Sequence, residues 1–155
     1  MNADKYFIDT NIFVRFFVRD SERSFRECSA VFESLAAGDF VAVTSSAVIA
    51  EIHWLLKSYY KIDKQNIVGF VVRALSLSHL KIDNRGDTAL ANVLFRDASV
   101  KFIDALIASH PDIQNGSMTV ISYDKDFDKL GVKRIEPKAL VRKISKRAQG
   151  VFRGK

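Results

Sequence analysis

Four carboxylates, Asp9, Glu51, Asp104 and Asp124, stand where short apolar runs end or where apolar helices begin. Asp9 closes the run KYFID, and Asp124 follows two residues after the run MTVIS. Glu51 lies beside Ile52 on the apolar stripe of a helix, and Asp104 sits inside FIDALIAS, on a helix too apolar to be fully solvated. Each has an ordinary role open to it. Asp9 and Asp124 suit helix N-caps, Glu51 a helix shoulder, and Asp104 an acceptor for a neighbouring loop. Brought within a few ångströms of one another, the four would repel, and would protonate or splay unless a cation held them. All-oxygen ligation suits Mg2+ or Mn2+ rather than zinc or copper. Beside a phosphate, such an ion activates water and steadies the leaving oxygen. Asp126 shares the last segment, and the sequence leaves open whether Asp124 or Asp126 faces the metal. Asp124 stands nearer the strand end, which leaves Asp126 and Asp128 as favourable charges in a first helical turn. Asp97 is set aside because Ser99 interrupts the helix that would align it with Asp104.

The elements that must position these acids follow from the apolar pattern. Strands are expected at Lys5–Asp9, Phe40–Thr44, Leu80–Ile82, Met118–Ser122 and Val132–Ile135. Helices are expected at Asn11–Val18, from Ser21 to Ala37 with Gly38 as its stop, and over Val48–Tyr59 behind the capping Ser45 and Ser46. Further helices are expected over Lys64–Leu77, from Asp87 to Arg96, over Ser99–His110, over Asp124–Leu130 and from Pro137, with Pro111 and Asn115-Gly116 in a loop. Strands alternate with helices over connections too long for hairpins, which predicts a three-layer α/β/α domain on a central parallel sheet. In such sheets the C-terminal lip of the strands is where ligands bind.

A chain of 155 residues, 48% hydrophobic and 27% charged, has the size and composition of one soluble domain with a real core. Cys28 is the only cysteine, which excludes an intrachain disulfide and any cysteine-based zinc site. The start, MNADKYFID, lacks the shape of a signal peptide, and no run approaches the roughly 18 apolar residues of a membrane span. A cytoplasmic protein with no membrane contact is the expectation. The net charge of +6 is concentrated: residues 133–155 hold nine Lys or Arg against Glu136 alone. The expected division is a body at 1–137 and a basic C-terminal helix or tail at 138–155, whose Lys138, Arg142, Lys143, Lys146 and Arg147 are candidates for phosphate contact. Acidic pocket, hard metal and basic periphery together describe a nuclease. A phosphatase with an aspartyl nucleophile needs a second Asp at position 11, where Asn11 stands, and a phospho-receiver needs paired acids where Asp9 precedes Thr10.

The segments YFIDTNIFVRF, SSAVIAEIHWLL, VKFIDALIASH and TVISYDKDFDKL resemble, in order, the four motifs of the PIN-domain family. The resemblance runs from about Lys5 to Pro137 and is nearest to compact VapC-type toxins. It implies a metal-dependent ribonuclease using Mg2+ or Mn2+, often a homodimer, neutralised by a small antitoxin protein. Carried onto this chain, it makes Asp9, Glu51, Asp104 and Asp124 the acidic site, with Asn11 and Ser122 as polar supports. It makes RNA the partner of the basic C-terminal residues. The expected chemistry is in-line attack by activated water, leaving 5′-phosphate and 3′-hydroxyl ends. The alternatives are an RNA-processing nuclease without antitoxin and a non-catalytic RNA-binding module. His53, His79 and His110 show no spacing for a metal or triad, and Cys28 reads as a small buried side chain. Phe13, Phe16 and Phe17 exceed what one helix face buries, which suggests a groove for an amphipathic partner helix.

Overall fold

The computed structural model describes residues 4–153. Met1 and Lys155, the outer bounds of the expected two-part division, lie outside the described residues. Strand β1 (Lys5–Ile8) ends where Asp9 turns into helix α1 (Thr10–Val18). Helix α2 (Glu22–Ala37) is capped by the Ser21 hydroxyl, which accepts from Ser24 N–H, and stops at Gly38 in the left-handed region at φ 81°. Its left-handed backbone favours glycine, and a β-carbon there would also stand 3.1 Å from the His79 ring, which would have to shift to admit it. Strand β2 (Val41–Thr44) leads through the Ser45 cap into α3 (Ser46–Trp54), which continues as a π-helical turn over Leu55–Tyr59. Helix α4 (Lys64–Leu75) and strand β3 (Leu80–Ile82) complete the first half.

In the second half the structure corrects the boundaries expected from sequence. Helix α5 (Thr88–Asp97), capped by Asp87, ends where Ser99 was expected to interrupt it. The helix bearing Asp104, α6 (Phe102–Ala108), is shorter than Ser99–His110, and Pro111 opens a further helical turn, α7 (Pro111–Gln114), instead of a loop. The reason is local: proline suits the first helical position, and the His110 ring accepts from Asp112 N–H as its cap. Strand β4 (Met118–Ile121), helix α8 (Asp126–Lys129), strand β5 (Arg134–Ile135) and helix α9 (Pro137–Arg153) follow, so Asp124 precedes the last short helix rather than starting it.

The five strands form one parallel sheet in the order β3-β2-β1-β4-β5. Because parallel crossovers are right-handed, the reversal of order between β1 and β4 sends α1–α4 to one face and α5–α8 to the other. The packing follows that division: α1 lies on α2 and α3, α2 on α9, and α6 on α5, α7 and α8. The central strands are buried on both faces through Phe7, Ile8, Val120 and Ile121, the continuous apolar reading that a covered parallel sheet demands. No helix among the described residues is long and apolar enough to cross a membrane.

Helix α9 is tied to the body by Leu140, which is fully buried, with Val141 and Ile144 packed against the core. Removing a buried leucine costs its transfer free energy plus that of the cavity. Leu140→Ala should therefore lower unfolding free energy by about 2–5 kcal/mol in urea titration. An unchanged midpoint would show that α9 docks without contributing to the core.

Candidate functional site

The C-terminal ends of β1 and β4 are neighbours at the point where strand order reverses, and Asp9 stands there, its N–H bonded to Ile121 O at 3.2 Å. The two ordinary readings of Asp9 turn out to be compatible. One carboxylate oxygen, Oδ1, accepts from Thr10 N–H at 2.7 Å as a helix cap. The other, Oδ2, accepts from the Ser122 hydroxyl at 2.6 Å and from Asn11 Nδ2 at 2.9 Å. Asn11 Nδ2 also donates to Ser122 Oγ, Asn11 Oδ1 accepts from Tyr123 N–H, and Ser122 Oγ accepts from Asp124 N–H. These bonds join the two strand ends and aim the turn that carries Asp124.

Asp104 arrives from the opposite face. It is in the first turn of α6 and only 1% exposed, and its Oδ2 has no hydrogen-bond partner among the described residues. Oxygens of Asp104, Asp124 and Asp126 lie within 4.8 Å of one another, so the structure brings both candidates of the last motif to Asp104. Asp124 Oδ2 is 3.6 Å from Lys101 Nζ, whereas Asp126 Oδ1 is held by Lys129 at 2.7 Å. Glu51, half-buried on α3, accepts from the Thr10 hydroxyl and shares with Asp9 a cavity of about 320 Å³.

Burial and mutual repulsion set the charge state of this group. Desolvation pushes Asp9 up to about 6, against the donors Ser122 and Thr10 that favour its anion, with Glu51 adding repulsion. Asp104 is pushed to about 7, first by burial and then by Asp9, with Asp124 and Glu51 adding to it and Lys101 opposing. An all-carboxylate set with one buried, unpartnered oxygen fits a hard divalent ion.

A family model described as PIN domain matches residues 6–133. The chain belongs to the PIN domain family. Its fold is similar to that of a chain in the crystal structure of VapBC2 from Rickettsia felis bound to a DNA fragment from their promoter. That likeness has a TM-score of 0.60 and 21% identity, and covers 85% of this chain and 98% of that one. No curated protein matches the chain.

Elsewhere in this PIN domain the expected residues are distributed unevenly. Helix α9 starts beyond the C-terminal end of β5 and runs back along the sheet, so Lys143 and Arg147 reach Asp4, just before β1, at 3.1 and 2.7 Å. They lie at the opposite end of β1 from Asp9, and Lys143 also bonds the Tyr6 hydroxyl. Lys138, Arg142 and Lys146 are exposed on the same helix. A second group with ligand chemistry, Asp83, His110 and Asp112, is already neutralised: Arg85 lies 2.8 and 2.7 Å from the two carboxylates and Lys5 is 2.9 Å from Asp112. Cys28 is buried and its thiol pushed up to about 11, which disfavours the thiolate. Sequence reasoning missed Lys101 and Tyr60, which line the cavity together with Arg15 and Tyr59. The position of Lys101 directly before the Phe-x-Asp segment was the one available signal.

The raised values carry a sign. A carboxyl whose folded pKa exceeds its unfolded value stabilises the fold below the unfolded value of 3.8, and that contribution is lost as pH rises through about 6 to 7. In chelator, the melting temperature should fall between pH 5 and pH 8. Asp104→Asn should flatten that fall and raise the melting temperature at pH 8 by roughly 2–4 °C per kcal/mol of repulsion removed. Identical pH profiles for the two proteins by thermal denaturation would refute the repulsive cluster.

Proposed function

We propose that this PIN domain is a Mg2+- or Mn2+-dependent endoribonuclease acting as the toxin of a toxin–antitoxin pair. In this reading Asp9, Asp104 and Asp124 hold the ion, Asp126 stands as a further ligand, and Glu51 completes the catalytic set. The observation that carries the reading is Asp104, which has an oxygen within 4.8 Å of oxygens of Asp124 and Asp126 and a buried Oδ2 without a partner among the described residues. An ionised oxygen so placed is costly without a cation. When bound, the ion would lower the pKa of the attacking water and neutralise charge on the phosphate.

The chain's own residues supply the rest. Asn11 and Ser122 fix Asp9 in one rotamer by their two bonds to Oδ2. In this reading Glu51, which lines the cavity beside Asp9, would accept the proton of the attacking water. Lys101 and Arg15 line the same cavity and would meet the strand's phosphates, with Lys138 beyond β5 as an outlying contact. Attack by water with the 3′-oxygen as leaving group would break the P–O3′ bond and leave 5′-phosphate and 3′-hydroxyl ends.

Support for a protein partner comes from the similar chain, described within a VapBC2 complex, and from a groove of about 420 Å³ between α1, α2 and α4. Phe13 is fully buried there, while Phe16 and Phe17 are half-buried against Phe25, Phe32 and Phe70 and leave the groove open. An amphipathic helix would lay its apolar side into it. Helix α5 buries only Ala91, and its exposed Phe95 meets the exposed Phe102 of α6, an apolar pair that a second copy of the chain would cover.

Asp9→Asn and Asp104→Asn should each lower metal-dependent cleavage of labelled single-stranded RNA by roughly 100-fold or more, with circular dichroism unchanged. Wild-type-like cleavage by either variant, or full cleavage in excess EDTA, would overturn the site. Co-expression with the product of an adjacent small gene should give a complex without nuclease activity, in which light scattering finds two copies of this chain. Recovery of the chain alone, active and tolerated by its host at high level, would count against a toxin.

A further inference from the structure

The cavity beside Asp9 has lining residues that the acidic chemistry leaves unused. Besides Asp9 and Glu51, its lining includes the rings of Tyr59 and Tyr60 and the cations Arg15 and Lys101. Tyr59 is 72% exposed, although a large aromatic ring gains free energy by leaving water. Its edge-to-face contact with Tyr60, centroids 4.9 Å apart at 80°, occupies one face of one ring only.

The backbone departs from regularity in order to put Tyr59 there. Leu55–Tyr59 is wound as a π-helical turn, closed by Tyr60 N–H donating to Leu55 O at 3.1 Å. Such turns are rare and concentrate at functional sites. On an uninterrupted α-helix, Tyr59 would stand about 80° around the axis from Glu51. The wider turn holds that drift back, and Glu51, Leu55 and Tyr59 all line one cavity.

We propose that Tyr59, backed by Tyr60, is a stacking platform for one unpaired nucleobase next to the phosphate held at the acidic pocket. Arg15 and Lys101 would pair with the flanking phosphates. The proposal rests on the nuclease reading and narrows its substrate to a strand unpaired at the cleavage point, because a duplex hides the base faces that aromatic rings take up. A nucleic acid is the occupant that matches this lining: cations for the backbone and an open ring for the base. The groove suited to a partner helix is a separate one, lined by Phe13, Phe17 and Phe70.

The test is steady-state cleavage of a labelled single-stranded ribo-oligonucleotide with Mg2+. Tyr59→Ala should raise KM about 10-fold with kcat little changed, while Tyr59→Phe and Tyr59→Trp stay near wild type. Trp54→Ala, an exposed residue of the same helix outside the cavity lining, should leave KM unchanged. An abasic residue next to the scissile phosphate should cost the wild type the same factor and cost Tyr59→Ala nothing more, since both changes remove one contact. Stacking is read without turnover by 2-aminopurine at that position, in chelator. The wild type should quench its fluorescence and Tyr59→Ala should not. Equal quenching by both, additive losses in the cleavage series, or an equal rise in KM for Trp54→Ala would overturn the platform. Wild-type-like RNA binding by Tyr59→Ala with loss of a co-expressed protein partner would also overturn it. If the wild type cleaves nothing with Mg2+ or Mn2+, the nuclease reading falls, and the quenching experiment still decides the platform.

Discussion

The rest of the structure depends on holding like charges together in a place with little water. Asp9, at the end of β1, and Asp104, on α6, are almost fully buried, and both are pushed well above the usual carboxylate range. Left to themselves such groups protonate or move apart. What keeps them from moving apart is a rigid frame on three sides. The β1–β4 pairing continues through Asp9 N–H, Ser122 and Asn11 clamp the Asp9 carboxylate, and Lys101 brings one positive charge to the edge of the cluster.

Helix α6 is held against that frame from its far end. Gly86 lets the loop after β3 pass so close to α6 that a β-carbon would stand 3.0 Å from Leu106 O, a backbone atom that cannot yield. The same loop carries Asp83 and Arg85 into the network with Lys5, His110 and Asp112, where the Arg85 guanidinium above all holds Asp83 well below its ordinary range. His110 caps α7 through Nδ1 and places Nε2 3.1 Å from Asp83, so the imidazole without a catalytic partner is a tie between β3, α6 and α7.

Charge is organised by the same geometry. Helix α9 returns along the sheet, so its basic residues are spread from the C-terminal lip at Lys138 to the opposite end at Asp4. The cations that line the cavity beside Asp9, Lys101 and Arg15, come from the body of the chain, whose net charge is slightly negative. Net charge located the basic segment but not the face on which each side chain works.

By itself the sequence determined the parallel α/β/α fold and the family. Continuous apolar strands, alternating helices and four ordered motifs are local signals that survive any detail of packing. It also marked the acids, because a carboxylate at the end of the KYFID run or inside FIDALIAS conflicts with its apolar surroundings wherever the chain takes it. Only the tertiary structure decided which atoms meet. The approach of both Asp124 and Asp126 to Asp104, the entry of Lys101 and the turning away of Lys143 and Arg147 depend on strand order and helix direction. The burial of Leu140 inside a basic segment and the π-helical turn that aims Tyr59 were equally invisible. Each arises from contacts between residues far apart in the chain, and composition, period and spacing carry no record of such distances.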